Sequence, residues 1–477
     1  MEEYIKMLLE QVRFQKAHKA IGDEIRSHIE DQVQANISEG MDQETAEKKA
    51  VEDMGDPVDV GIELDKVHRP QIAFGVIIVA IIAGVLGTIV NILLCKDFDA
   101  NLVYADSPVW GAAGVHINSI IFGIVLMLIM YLIDYTTVAK YSKVMASVLL
   151  VSYVIYSFAH YKMNVMHYYI PELYEKDQFF DSFKKYQYID AIFCWFVPLI
   201  FLMVPLFAGI LYKQRNQKYR ALIESLIWIV VTGISVERLQ GIFNSAVIVI
   251  CMLVELTVAI KKEWIKVPKI PTLASVWTLF TVVPAGVMWL LNRSRLIEIY
   301  QKGDIDGGIF KIPKYAMKRT REIVKGMELF GSGMIRAFDG RMMISTKDYV
   351  RNEYGGEYVL SDIMALWGLI SVLIALVVVA ALIVLGLVAV SKIKNQLGLV
   401  MGSGCMMWLM VNAAFNACVG FGIIPACGSS FFPFFSSSRL IASYTILGII
   451  LSIYKYKNAY AEHVDIKIHR NIKNLEV

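Results

Sequence analysis

The sequence predicts an all-α polytopic membrane protein, with about ten transmembrane helices and a small cytosolic helical N-terminal domain. Three observations predict this. Of the 477 residues, 56% are hydrophobic and 19% charged, with a mean hydropathy of +0.53; soluble domains average about 45–50% and about 25%. The apolar residues gather in runs of roughly 20, the helix length that a bilayer core of about 30 Å demands. The first 69 residues break this pattern, being polar with helical periodicity. The same composition excludes disorder and a small disulfide scaffold. A net charge of +3, spread along the chain, argues against nucleic-acid binding.

In residues 1–69, Ile21, Ile25, Ile29, Val33 and Ile37 recur every four positions and form an apolar stripe. Gly40 ends that helix, Asp42 is placed to cap the next, Gly55 stops it and Pro57 bars its continuation. The opening MEEYIKMLLEQ is amphipathic and charged, unlike a signal peptide.

From residue 70 to 455 ten spans are expected, at about 71–95, 111–135, 143–160, 189–212, 220–235, 242–260, 272–291, 362–390, 397–420 and 438–455. With the N-terminus in the cytosol, every inner loop is basic: Lys140 and Lys143, Lys213 to Arg220, Lys261 to Lys269, and Lys392 and Lys394. The tail 456–477 is basic too, so both termini are expected in the cytosol of a bacterial cytoplasmic membrane. Most of the six cysteines fall inside apolar runs and read as packing residues, although Cys95 and Cys427 both lie near the outer face.

Three membrane carboxylates have simple structural readings. Asp134 ends span two, Glu224 can pair with Arg220 one turn earlier, and Glu255 is within snorkelling range of Lys261 and Lys262. Asp362 differs. It stands at the outer start of span eight, after the long outer loop 292–361 with its thirteen Lys/Arg against nine Asp/Glu. A partly desolvated carboxylate there suits a general base on a sugar hydroxyl; Ser361 or Asp362 as a helix cap is the simpler reading of its position. In the loop, Lys318, Arg319, Arg321, Lys325, Arg336 and Arg341 are candidate ligands for phosphate or diphosphate. Between spans nine and ten, Asn412 and Asn416 lie one turn apart, followed by Pro425, Gly428, Pro433 and Ser436 in an irregular, re-entrant-like stretch. No Walker loop, HExxH, GxSxG or dinucleotide fingerprint is present, and no metal-ligand cluster.

The stretch WLMVNAAFNACVGFGIIPACGSSFFPFFSSSRL resembles the C-terminal signature of the SEDS family, which includes FtsW, RodA and SpoVE. Asn412 stands at that signature's Gln, and Asn416, Pro425, Gly428, Pro433 and Ser436 fall on the rest. The family's following Gly-Gly-Ser is absent, with Ser438–Arg439–Leu440 in its place. Upstream, FGSGMIRAFDG resembles the family's Gly-rich segment, and SDIMALWGLIS its Thr-Asp-Phe motif, with Asp362 on the aspartate and Gly368 on the first glycine. The family's Gln-Pro-Ser-Glu motif has no counterpart in the first half. Residues 1–70 resemble a prefix domain that precedes bacterial permease-like proteins.

The SEDS resemblance implies a peptidoglycan glycosyltransferase that polymerises lipid II at the outer face of the membrane, beside a class B penicillin-binding protein. Asp362 would deprotonate the acceptor hydroxyl, or position it with a divalent cation. Arg319, Arg321, Lys325, Arg336, Asn412, Asn416 and Ser436 would contact substrate. The alternatives are a non-catalytic SEDS scaffold of cell-wall synthesis and a transporter of lipid-linked precursor.

Overall fold

The computed structural model describes residues 1–97, 112–169, 197–287, 316–336, 343–350, 358–424, 431–436 and 439–460, with isolated positions 186, 188, 189 and 290. Cys427, Pro425, Gly428, Arg341 and the tail beyond 460 lie outside the described residues.

The N-terminal module is four helices: α1 (Glu2–Gln11), α2 (Gln15–Ser38), α3 (Gln43–Asp53) and α4 (Pro57–His68). Tyr4, Ile5, Leu8, Ile21, Ile25 and Ile29 form its core. The stripe on α2 does not stay buried along its length, and Ile37 is 43% exposed. A four-residue spacing overshoots the 3.6-residue turn, so by Ile37 the stripe has rotated roughly 160° from Ile21. Gly40 adopts φ +99°, and Asp42 caps α3 by accepting from the Thr45 amide. That backbone hydrogen bond holds the Asp42 carboxyl below its usual range. Pro57 opens α4 at its first turn, where a missing N–H costs nothing, and Asp56 accepts from the Val58 and Asp59 amides.

The rest is an all-α, multi-pass membrane domain. In order come α5 (Phe74–Asp97), α6 (Ala112–Leu132), the short α7 (Tyr135–Lys140), α8 (Ser142–Tyr169) and α9 (Met203–Lys213, preceded by the 3₁₀ turn Pro198–Leu202). Then follow α10 (Tyr219–Lys261) and α11 (Lys269–Trp277, continued by a π turn Thr278–Val282). Among the described residues six helices are long and apolar enough to cross a membrane, and three shorter apolar ones accompany them. One of the six, α10, holds two of the expected spans: the fifth and sixth meet at Gly241 (φ +81°, ψ +169°) with no loop between them. Among the described residues the helices follow the order of the ten expected spans, the fifth reaching further than 220–235.

Two of the three structural readings of membrane carboxylates need correction. Glu224 pairs with Lys143 of α8 at 2.6 Å and not with Arg220, because α8 packs against α10 and brings its lysine across. Glu255 does not reach the Lys261–Lys262 cluster. It is fully buried against α16 (Gln396–Gly420), so close to Gly404 that a Cβ there would fall 1.8 Å from its Oε1. Its place on the helix turns it into the α10–α16 interface, away from the membrane surface.

Asp134 is as expected at the end of span two. It also ties the N-terminal module to the membrane domain. Its carboxylate caps α7 through the Thr136 amide and hydroxyl, both at 2.9 Å, and accepts from Lys16 at 2.8 Å and from the Tyr460 hydroxyl. Phe14 stacks on Tyr456, and Asn458 donates to the Val67 carbonyl.

Candidate functional site

Among its described residues the long loop before span eight carries the helix α12 (Ala316–Lys325), whose inward face presents Arg319, Thr320 and Ile323, all buried. After it, residues 326–333 lead into a small antiparallel hairpin, β1 (Met334–Arg336) with β2 (Met343–Ser345), and the short α13 (Thr346–Val350). Span eight follows as two helices, α14 (Val359–Trp367) and α15 (Leu369–Ser391), broken at Gly368.

The break is built into the chain. Gly368 sits at φ +85°, ψ −179°, a region essentially reserved for glycine. A Cβ there would come within 2.7 Å of the Leu329 carbonyl oxygen. Breaking a helix at membrane depth exposes backbone groups that must find partners, and the loop supplies them. Gly331 donates to the Trp367 carbonyl at 3.1 Å; Leu369 and Ile370 donate to the Glu328 and Leu329 carbonyls at 2.9 and 3.3 Å. The Thr346 hydroxyl donates to the Ala365 carbonyl at 2.7 Å and accepts from the Gly333 amide at 3.0 Å.

This arrangement brings Arg319 to Asp362. The guanidinium Nη2 donates to Oδ1 at 2.7 Å, with the two side chains 2% and 0% exposed, and the guanidinium also lies 4.7 Å over the Tyr358 ring. Asp362 does not cap its helix, because Tyr358 is the residue preceding the first turn. Ser361 turns its hydroxyl back to the Tyr358 carbonyl. Arg321 reaches the Gly422 carbonyl at 3.3 Å, just past the end of α16, so α12 bridges α14 and α16.

Of the residues expected from sequence, Arg319 and Asp362 meet directly. Arg321 is held by backbone, Lys325 is exposed and paired with Glu322 at 2.7 Å, and Arg336 is exposed on β1. Asn412 donates back to the Trp408 carbonyl within its own helix, Asn416 is fully buried, and Ser436 closes its own turn by accepting from the Phe432 amide. Sequence reading missed Thr346 and Tyr358. Thr346 carries no local signal, since its partners lie 13 and 19 residues away. Tyr358 lies one helical turn before Asp362, a spacing from which shared contacts can be read.

Among the described residues no group of three His, Cys, Asp or Glu side chains can hold a metal. The charge placed against Asp362 is the Arg319 guanidinium, so these residues do not fit a divalent cation there.

Residues 327–459 match the family model FTSW_RODA_SPOVE, described as a cell cycle protein. A chain of a solved peptidoglycan synthase complex, described as coordinating polymerization and crosslinking, is similar in fold, with a TM-score of 0.51 at 15% identity over 80% of this chain and 97% of that one. A mutant of the Rod shape determining protein RodA from Thermus thermophilus aligns at a TM-score of 0.44 and 12% identity, over 80% and 97% of the two chains. No curated protein sequence matches the chain.

Proposed function

We infer, from the match of residues 327–459 to the FTSW_RODA_SPOVE family model, that this protein works in cell-wall synthesis as a lipid II polymerase of the bacterial cytoplasmic membrane, with both termini in the cytosol. The observation that carries the reading is the buried Arg319–Asp362 pair at the head of the broken helix. In the closed arrangement each charge neutralises the other. A substrate diphosphate competes for Arg319, as guanidinium suits phosphate oxygens. Releasing Arg319 frees Asp362 to accept the proton of the acceptor sugar hydroxyl. The hydroxyl oxygen then bonds to the anomeric carbon of the donor, the bond from that carbon to the diphosphate breaks, and the leaving diphosphate keeps the electron pair beside Arg319. A class B penicillin-binding protein is the expected partner.

The complete burial of Asp362 favours a second reading, a SEDS scaffold without catalysis. Polymerisation of lipid II by the purified protein, alone and with its penicillin-binding partner, decides between them. The first reading requires glycan polymer from wild type and none from a folded Asp362→Ala. Absence of polymer from wild type in every pairing leaves the scaffold, and lipid translocation without polymer would mark a transporter.

A further inference from the structure

At the end of the bundle away from the N-terminal module, α8 and the first half of α10 enclose a cavity of about 710 Å³. Its polar wall is Ser157 and His160 from α8 with Ser235 and Arg238 from α10, and Tyr153 lies at its floor. None of the described lining residues is a carboxylate. Tyr153 is 2% exposed, and its hydroxyl makes no well-aligned hydrogen bond among the described residues. The Gln240 side chain and the Arg439 guanidinium lie close enough behind it to interact. Arg439 is itself buried, stacked 5.7 Å over the Phe201 ring. It occupies the place where the SEDS signature carries its glycines.

The cavity is thus hydroxylated within, with one lining guanidinium, the exposed Arg238, at its rim and the buried Arg439 behind its floor. The flanking residues Val151 and Val154 of α8, and Ile234 of α10, are all more than half exposed apolar side chains facing where lipid would be, while Phe158 meets the Tyr186 ring edge-on and carries the Lys162 ammonium over its face. His160 and Tyr161 stand near the end of the apolar part of α8, at the level where phosphates of a bilayer sit. A soluble anion has no reason to meet an apolar doorway; an amphiphile does.

We propose that this cavity binds the phosphate-bearing head of an anionic bilayer lipid, with Arg238 at its lip, Tyr153 at its floor and the chains lying along Val154 and Ile234. The site is separate from the Arg319–Asp362 pair and does not depend on the polymerase reading, because its ligand undergoes no reaction.

The test is native mass spectrometry of the full-length protein in detergent, supplied with phosphatidylglycerol, phosphatidylcholine or inorganic phosphate. Wild type is expected to retain phosphatidylglycerol over phosphatidylcholine. Arg238→Gln should weaken that retention roughly tenfold, the loss of one charge-assisted hydrogen bond, and Arg238→Lys should keep most of it. Arg238 is exposed, so both variants should unfold at the wild-type temperature. Equal retention of the two lipids by wild type would overturn the proposal. So would unchanged retention in Arg238→Gln, or displacement of the lipid by millimolar inorganic phosphate.

Discussion

Removing one member of the Arg319–Asp362 pair should be far worse than removing both. At 2.7 Å, two unit charges in an effective dielectric of about 20 attract by about 6 kcal/mol. Taking each ion out of water costs several kcal/mol, which offsets most of that attraction. The pair as a whole is therefore near neutral for stability, but a single deletion leaves a buried charge uncompensated, at a cost of about 3–5 kcal/mol. Arg319→Met and Asp362→Leu alone should each lower the unfolding midpoint sharply, while the double variant recovers most of the loss. The assay is a double-mutant cycle on thermal unfolding of the purified protein, followed by tryptophan fluorescence. Additive losses, or single losses below about 1 kcal/mol, would refute the buried pairing. The double variant then answers the chemical question with folding restored. Lipid II polymer at the wild-type rate from that variant would reduce Asp362 to a structural residue.

Three further predictions follow from the geometry. Gly368→Ala places a side chain in a backbone region reserved for glycine and against the Leu329 carbonyl; it should cost about 1–3 kcal/mol or more and speed hydrogen exchange at the Gly331, Leu369 and Ile370 amides. Asp134→Ala removes a buried acceptor shared by Lys16, Thr136 and Tyr460. It should cost about 1–3 kcal/mol and raise exchange across residues 2–68, whereas Lys16→Gln, at a half-exposed position, should cost less than about 1 kcal/mol; equal effects would argue against Asp134 as the hub. Burial, reinforced by the Asp134 carboxylate, pushes the Tyr460 phenol above its ordinary range. The folded form therefore favours the protonated phenol, so docking of the N-terminal module should hold up to about pH 10 and weaken above it, measured by exchange in the same helices.

Membrane class and the order of ten spans were legible because apolar runs of bilayer length leave few alternatives. The caps at Asp42 and the stop at Gly40 were equally legible, since their partners lie within three residues. Glu224 and Glu255 were misread for the opposite reason. Their neighbours, Lys143 and Gly404, are distant in sequence, and only helix packing says which face of α10 meets which helix.

At the candidate site the two kinds of information divide cleanly. The order of residues is enough to place an acid, Asp362, at the head of a span after a basic loop, and a glycine six residues later that can interrupt the helix. Packing alone shows that Arg319, of the candidate loop cations among the described residues, is the one that meets it, and that residues 326–333 stitch the break at Gly368. The physical reason is that a local motif fixes φ, ψ and helix face, whereas the choice of ion-pair partner depends on which elements pack together across tens of residues of loop.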